Sequence, residues 1–284
     1  MELFAFPKSL IRLALFYARY RYIAHRIYLR FNMGKSLRDD YLKHKKLGVF
    51  DFLPQIPYNA NGIKVVPRRG TRDYDMFFPR QGSLVWKREQ YVRDHLIMNK
   101  KEVFVDVGAN VGAHSLRVAH NYAQMEVRVI AIEAEPETYN TLVQNIKRNG
   151  LTNIDAIRIA VSDHKGSAIL HERSYDGVRV GTGLHSIMEN VDDGNFNLYN
   201  EQSLQIECDK LDNIISGHRV DVMKIDIEGA EILALEGASK VLKHLRKIIV
   251  EIHGKNLQSV KEILESNNFG LEIDPVGQHV IGTK

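Results

Sequence analysis

Eight residues constrain this chain more than any others: Val105-Asp106-Val107-Gly108-Ala109-Asn110-Val111-Gly112. They overlap an apolar run, Val103-Phe104-Val105, of the kind that fills a buried parallel strand, and they precede Ala113 to Ala119, whose pattern is helical. A strand that turns through glycine into a helix makes a nucleotide-sized trap of free N–H groups and helix dipole. Glycine in the turn removes the Cβ that would hold a ligand away from the backbone. The spacing is Gly-x-x-x-Gly with an acid two residues before the first glycine, unlike the Gly-x-Gly-x-x-Gly of dinucleotide oxidoreductases. A carboxylate at Asp106 repels a pyrophosphate but suits a cationic, amine-bearing ligand, and this points to S-adenosylmethionine.

From Lys101 onward the pattern alternates strand and helix. Strands are predicted at Val103 to Val107, Val127 to Glu133, Asp155 to Ala160, Val220 to Ile227 and Lys247 to His253. Helices are predicted at Gly112 to Ala123, Pro136 to Asn149, Ala230 to Leu245 and Leu257 to Asn267. Such alternation gives an α/β fold, a mostly parallel sheet with helices on both faces. Residues 101–284 therefore read as the main domain, with an insertion at 164–219. That insertion carries two strand-like runs, Ser167 to His171 and Leu204 to Cys208. Its middle, Ser174 to Asn200, is rich in Gly, Asn and Asp and reads as a lid over the carboxyl ends of the strands.

Ahead of this body, residues 48–100 read as a small mixed cap. It holds strand-like runs at Gly62 to Val66 and Asp75 to Phe78, then a helix over Leu84 to Met98. Arg68, Arg69, Arg72 and Arg80 are candidate substrate contacts there, with ordinary solvated arginines as the plainer reading. Residues 1–47 read as a helical extension carrying the chain's basicity. Eleven Lys and Arg stand against three acids, a surplus of +8 where the whole chain has +4, so the remainder is net −4. At about 100° per residue, Lys8, Arg12, Arg19, Arg26 and Arg30 share one stripe. The stripe is either a solvated ridge or, over residues 8–30, a contact for anionic lipid. Nucleic acid is the less favoured partner because the body is acidic. Arginines interrupt any signal peptide or membrane span, and the single Cys208 excludes an internal disulfide. A cytoplasmic protein is expected, peripheral to the inner membrane face if the stripe meets lipid.

Glu133 ends the second strand of the body, where an acid can accept both hydroxyls of a ribose. Ser162 and Asp163 follow the third strand, where a short polar side chain can meet an adenine amino group. Asp163 equally suits a cap on the turn His164-Lys165-Gly166. In Met223-Lys224-Ile225-Asp226-Ile227-Glu228-Gly229-Ala230-Glu231, alternation puts Lys224 and Asp226 on one side of a strand, at its carboxyl end. Charges there are costly to bury and suggest a ligand-facing site, while Glu228 or Glu231 can cap the following helix. Glu251 and His253 end the next strand on a shared face, and His253 is a candidate proton acceptor or a simple anchor of its loop.

These stretches together, with Glu133-Ala134-Glu135-Pro136 and Glu251-Ile252-His253, resemble the FkbM family of methyltransferases over roughly Lys101 to Gly254. Lys224-Ile225-Asp226-Ile227-Glu228-Gly229-Ala230-Glu231 is the most specific part. Ala134 departs from the proline that often follows the acid in the family, while Pro136 is kept. The resemblance implies a Rossmann-like class I methyltransferase fold, a seven-stranded sheet whose last strand is antiparallel. It also implies methylation of oxygen on sugars, glycolipids or small metabolites. On that reading Asp106, Gly108, Asn110 and Gly112 form the methionine end of the S-adenosylmethionine site, Glu133 holds the ribose, and Ser162 and Asp163 meet the adenine. Asp226, Glu251 and His253 orient or deprotonate the acceptor, with Lys224 as a lesser base. A divalent ion at Asp226 and its neighbours would polarise a hydroxyl, but no clean ligand set is legible and no metal is predicted. The alternatives are an RNA methyltransferase using the basic helix and a non-catalytic docking module on the same fold.

Overall fold

The computed structural model describes residues 58–60, 62–66, 84–175, 185–188, 198–274 and 278–284. Strands β1 (Tyr58–Ala60) and β2 (Ile63–Val65) form a hairpin, and helix α1 (Leu84–His95) leads into β3 (Val103–Val107). Then come α2 (Ala113–Asn121), β4 (Arg128–Glu133), α3 (Pro136–Arg148), β5 (Ile154–Arg158) and β6 (Ala160–Val161). They are followed by β7 (Gly166–Tyr175), β8 (Leu198–Asp209), α4 (Leu211–Ile214), β9 (Val222–Ile225) and α5 (Glu231–Glu236). The chain ends with β10 (Lys247–Glu251), α6 (Leu257–Ser266), β11 (Gly270–Ile273) and β12 (His279–Thr283).

Seven strands make the main sheet in the order β11-β12-β10-β9-β3-β4-β5. Only β12 runs antiparallel to its neighbours, pairing with β10 and β11. Strand order runs outward from β3 to β5, then restarts on the other side with β9 and β10. The crevice beside β3 and β9 is therefore the topological switch point, where ligands of open α/β sheets bind. The expected α/β architecture is the one observed.

The central strands are apolar on both faces because both faces are covered. Phe104, Val222, Ile249 and Ile281 pack with Val92 and Leu96 of the α1 segment, Leu116 of α2 and Leu142 of α3. On the other face Val105, Met223, Ile248 and Val250 pack with Leu211, Leu235, Leu242, Val260 and Leu264. The first face changes character toward the carboxyl ends of its strands. Above the apolar layer, Asp106 is paired in register with Lys224, and Glu251 with His279. A strand alternates its side chains, so these charged groups stand on the face that carries α1 and α2.

Several predicted boundaries shift for visible reasons. The helix expected over Ala230 to Leu245 stops after Glu236. Asp212 accepts from the N–H groups of Lys240 and Val241 and so ends one helix and starts a separate turn at Val241–Lys243. The strand expected over Asp155 to Ala160 splits. β5 stays in the main sheet while β6 pairs with β8, which with β7 forms a longer hairpin than the two runs predicted. The expectations for residues 1–47, for Asp75 to Phe78, for Arg68, Arg69, Arg72 and Arg80, and for the middle of the insertion lie outside the described residues. No helix among the described residues is long and apolar enough to cross a membrane.

The glycines of the turn also serve the packing of the protein itself, a reason not expected from sequence. Gly108 has φ +78°, and a Cβ there would lie 1.8 Å from the carbonyl oxygen of Asp226. Gly112 has φ +97°, and its Cβ would lie 2.8 Å from Leu142 Cδ1. Both positions reject other residues twice, through backbone conformation and through space. Gly108→Ala should therefore destabilise the fold by roughly 3–5 kcal/mol. Gly150→Ala, at φ +61° with nothing within 4 Å of the added carbon, should cost about 1 kcal/mol. Urea unfolding of the two variants checks the contrast, and equal losses would show that the close approach at Gly108 is not there.

Candidate functional site

The turn after β3 is tied to the end of β4 through Glu133. Its carboxylate accepts from the backbone N–H of Asn110 at 2.8 Å and from that of Glu135 at 2.9 Å. Glu133 thus sits half-buried beside the turn, where a ribose ligand was expected from sequence. Glu135 is a different kind of acid. Buried as the N-cap of α3, it accepts from the N–H groups of Glu137 and Thr138 and from the Thr138 hydroxyl. This is the stabilising position for an acid at a helix start, and it separates the two neighbours by role.

Asp106 is 1% exposed. Its Oδ2 accepts from the Ser115 hydroxyl at 2.5 Å, while Oδ1 is buried with no hydrogen-bond partner. Burial raises the Asp106 pKa against the opposing pull of Lys224. An orphaned buried carboxylate oxygen at a glycine turn fits a ligand that brings a donor, as the amine of S-adenosylmethionine does. At the end of β6 the Ser162 hydroxyl donates to Asp163 Oδ1, which also lies 2.7 Å from His164 Nδ1. Hydrogen bonding to His164 lowers the Asp163 pKa. Cys208, on the adjoining β8, is buried and its thiol pKa is raised by that burial, which disfavours the reactive thiolate.

The four residues predicted to do chemistry converge. Lys224 Nζ donates to Asp226 Oδ2 at 2.8 Å. Asp226, Glu251 and His253 each present one ligand-type atom within 4.8 Å of the others. Asp226 and Glu251 lie one residue past the paired Ile225 and Val250, so they are adjacent strand ends. Behind them, His253 Nδ1 donates to Glu231 Oε1 at 2.8 Å, and Nε2 faces Glu228 at 3.3 Å and Glu251 at 3.9 Å. Glu231 is fully buried and also accepts from the Gly229 N–H and from Asn256. Glu228 adopts φ +52° and places Oε2 3.3 Å from the histidine.

Electrostatics sort these groups. Burial works against the charge of Lys224, but Asp226, Asp106 and Glu251 outweigh it and hold the ammonium above the ordinary lysine range. A lysine held charged is a poor base, which argues against that part of the sequence reading. Burial also opposes a charge on His253, yet Glu228, Glu231, Glu251 and Asp226 raise its pKa well above the usual imidazole value. It keeps its proton near neutrality. Asp226 is pushed up by burial and by Glu251, whereas Glu251 resists burial through His279, His253 and Lys224 and stays low.

Sequence reading missed several contributors. His279, on β12, lies 3.5 Å from Glu251 and is held from behind by Asp274 at 2.9 Å. Glu89 reaches in from α1 and lies 3.6 Å from His114 at the start of α2, with Lys224, Arg117, Glu251 and Arg93 as its charged surroundings. Burial raises the Glu89 pKa to about 7 and drives His114 well below its usual value. Glu89 sits in an ordinary amphipathic stretch, and no motif marks it. His114 follows the glycine turn by two residues, the one signal that could have drawn attention to it.

Comparison with known proteins gives a consistent picture. Residues 106–271, more than half of the chain, match the profile of the methyltransferase FkbM domain. The hexuronic acid methyltransferase AglP of Haloferax volcanii is 26% identical over 176 residues, which cover 61% of this chain and 65% of that protein. The AMB antimetabolite synthetase AmbE of Pseudomonas aeruginosa is 25% identical over 219 residues, 65% of this chain but 10% of the synthetase. The chain thus covers less than two thirds of the length of either relative. A solved methyltransferase FkbM from Methylobacillus flagellatus superposes with a TM-score of 0.47 at 20% identity, over 68% of this chain and 46% of that one.

The Glu89 environment is open to a direct test. A carboxyl raised from 4.5 to about 7 in the fold adds stability that is complete below the unfolded value and lost as pH climbs through 7. Glu89→Gln removes that dependence. Relative to the parent, the variant should gain up to about 2–3 kcal/mol between pH 5 and pH 8. Urea unfolding at the two pH values measures it, and a difference that does not change with pH would place Glu89 in water.

Proposed function

The chain belongs to the FkbM methyltransferase family, and from that premise we propose that it methylates an oxygen of a carbohydrate-type acceptor. S-adenosylmethionine, the methyl donor, supplies when bound an electrophilic methyl group on a sulfonium. The observation that carries the reading is the carboxylate at Asp226, one alternate position beyond Lys224, whose partner across the sheet is Asp106. The acceptor-handling group and the cofactor-holding group therefore share one crevice at the switch point.

In this reading Asp106 and the turn through Gly108, Asn110 and Gly112 hold the methionine end, Glu133 the ribose, and Ser162 with Asp163 the adenine edge. Asp226 takes the acceptor proton, because its pKa is raised while that of Glu251 is lowered. Two carboxyls pushed apart by their surroundings divide into a proton acceptor and a fixed charge. Glu251 remains ionised and holds His279 and protonated His253 in place. Lys224 fixes the Asp226 carboxylate without exchanging a proton. A hydroxyl acceptor needs such a base as the new bond forms, and a carboxylate acceptor does not.

The similarity to a hexuronic acid methyltransferase supports a uronic or neutral sugar, free or on a glycolipid, ahead of a small metabolite. The surplus positive charge of residues 1–47 would favour an acceptor at an anionic membrane surface.

Titration calorimetry with S-adenosylmethionine, with NADH as control, tests the cofactor site. The parent should bind only the former, and Asp106→Ala should weaken that binding at least 100-fold. Unchanged binding removes the assignment of Asp106. Asp226→Asn should keep the cofactor affinity and lose methyl transfer to uronic acid glycans by roughly 10²–10⁴-fold. Transfer that survives this change would exclude Asp226 as the base.

A further inference from the structure

We propose that Asp226, Glu251 and His253 form a binding site for one divalent cation of the Mn²⁺ or Mg²⁺ class. Three ligand atoms, two carboxylate oxygens and one imidazole nitrogen, converge from two adjacent strand ends, each within 4.8 Å of the others. An ion with bonds of about 2.1 Å needs neighbouring ligand atoms about 3 Å apart and opposite ones about 4.2 Å apart, so small side-chain rotations close the site. The three residues are only partly buried, which leaves coordination positions open on the crevice side.

The imidazole is built as a metal ligand is. Its Nδ1 is pinned by Glu231, a carboxylate with no solvent exposure that is itself fixed by the Gly229 N–H and Asn256. That arrangement fixes the ring with Nε2 facing Glu228 at 3.3 Å and Glu251 at 3.9 Å, with Asp226 in the same cluster. A carboxylate behind a histidine is the usual support of a metal-ligating imidazole. Glu251 is fixed by its place in β10, paired in register with His279, and Lys224 engages only Oδ2 of Asp226.

Charge points the same way. Asp226, Glu228, Glu231 and Glu251 surround His253, and Lys224 contacts Asp226. Such an acid-rich setting favours a cation, and an ion bound at His253 would displace the proton that the imidazole otherwise holds. Two carboxylates and one imidazole with open positions suit a hard, oxygen-seeking ion that tolerates one nitrogen, and Mn²⁺ fits better than tetrahedral Zn²⁺. Resting on the methyltransferase reading, the ion would accept two adjacent oxygens of the acceptor, as a vicinal diol or hydroxy acid presents them, and make the bound hydroxyl more acidic. Sequence spacing conceals this set, because its members are separated by 25 and 2 positions and meet only through strand pairing.

The test uses the full chain, stripped with EDTA and desalted, then titrated with MnCl₂ by calorimetry and by electron paramagnetic resonance of free Mn²⁺. S-adenosylmethionine is titrated separately. One bound equivalent is expected, with affinity reduced at least 10-fold by Glu251→Gln and 10–100-fold by Glu231→Gln, which removes the support but not a ligand. Should either variant fail to fold, the parent still answers. Bound Mn²⁺ should broaden the His253 ring resonances while exposed His120 and His218 stay sharp. No Mn²⁺ uptake, or uptake without His253 broadening, overturns the metal site. Intact S-adenosylmethionine binding in that case leaves the methyltransferase reading standing. Mn²⁺ bound at His253 without S-adenosylmethionine binding supports the metal site and sinks the cofactor assignment.

Discussion

The parallel register between β3 and β9 is the constraint on which the site depends. It sets Asp106 opposite Lys224, and the next turn of chain brings the Asp226 carbonyl against Gly108. A slip of β9 by one residue would turn Lys224 to the opposite face, into the layer of Met223, Val105 and Ile248, and leave Asp106 without its partner. The absence of a Cβ at Gly108 is what permits this register to continue past the strand ends. Packing of two backbones and placement of the Asp106 and Asp226 carboxylates are thus a single structural event.

Once placed there, the charges regulate one another. Lys224 is 2% exposed and would be intolerable alone, yet three carboxylates share its field and keep it ionised. The same low-dielectric surroundings separate Asp226 from Glu251, because neighbouring carboxyls cannot both ionise freely. His253 illustrates how strongly a fold can redirect a residue. By its type it suits proton abstraction near neutral pH, but Glu228, Glu231 and Glu251 favour its cationic form.

Much of this was legible in the chain. The apolar runs of β3, β4 and β10 and the glycine turn announced a buried parallel sheet, and the strand ends named Asp106, Glu133, Asp226, Glu251 and His253. Those signals are local and obey a period of two. What escaped notice depends on contacts between distant segments. The break after Glu236 requires Asp212, and the departure of β6 from the main sheet requires β8 as a partner. His279 lies on a strand short enough to lack a pattern, and it reaches Glu251 only by antiparallel pairing. The acid at 89 is one of two on a mixed helix, and its burial is set by α2 and β9, not by its neighbours in sequence.

Helix α1 lies ahead of residues 106–271, the stretch shared with the family, yet Val92 and Leu96 seal the core and Glu89 lies against His114 beside Lys224. Part of the wall around the charged crevice therefore comes from outside the stretch matched to the family. Such a division lets evolution exchange the wall while leaving the methyl-transfer scaffold untouched. It also means that a fragment trimmed to the shared boundaries would lose more than an appendage. It would expose an apolar face of the sheet and leave the charged crevice without its neighbouring carboxyl.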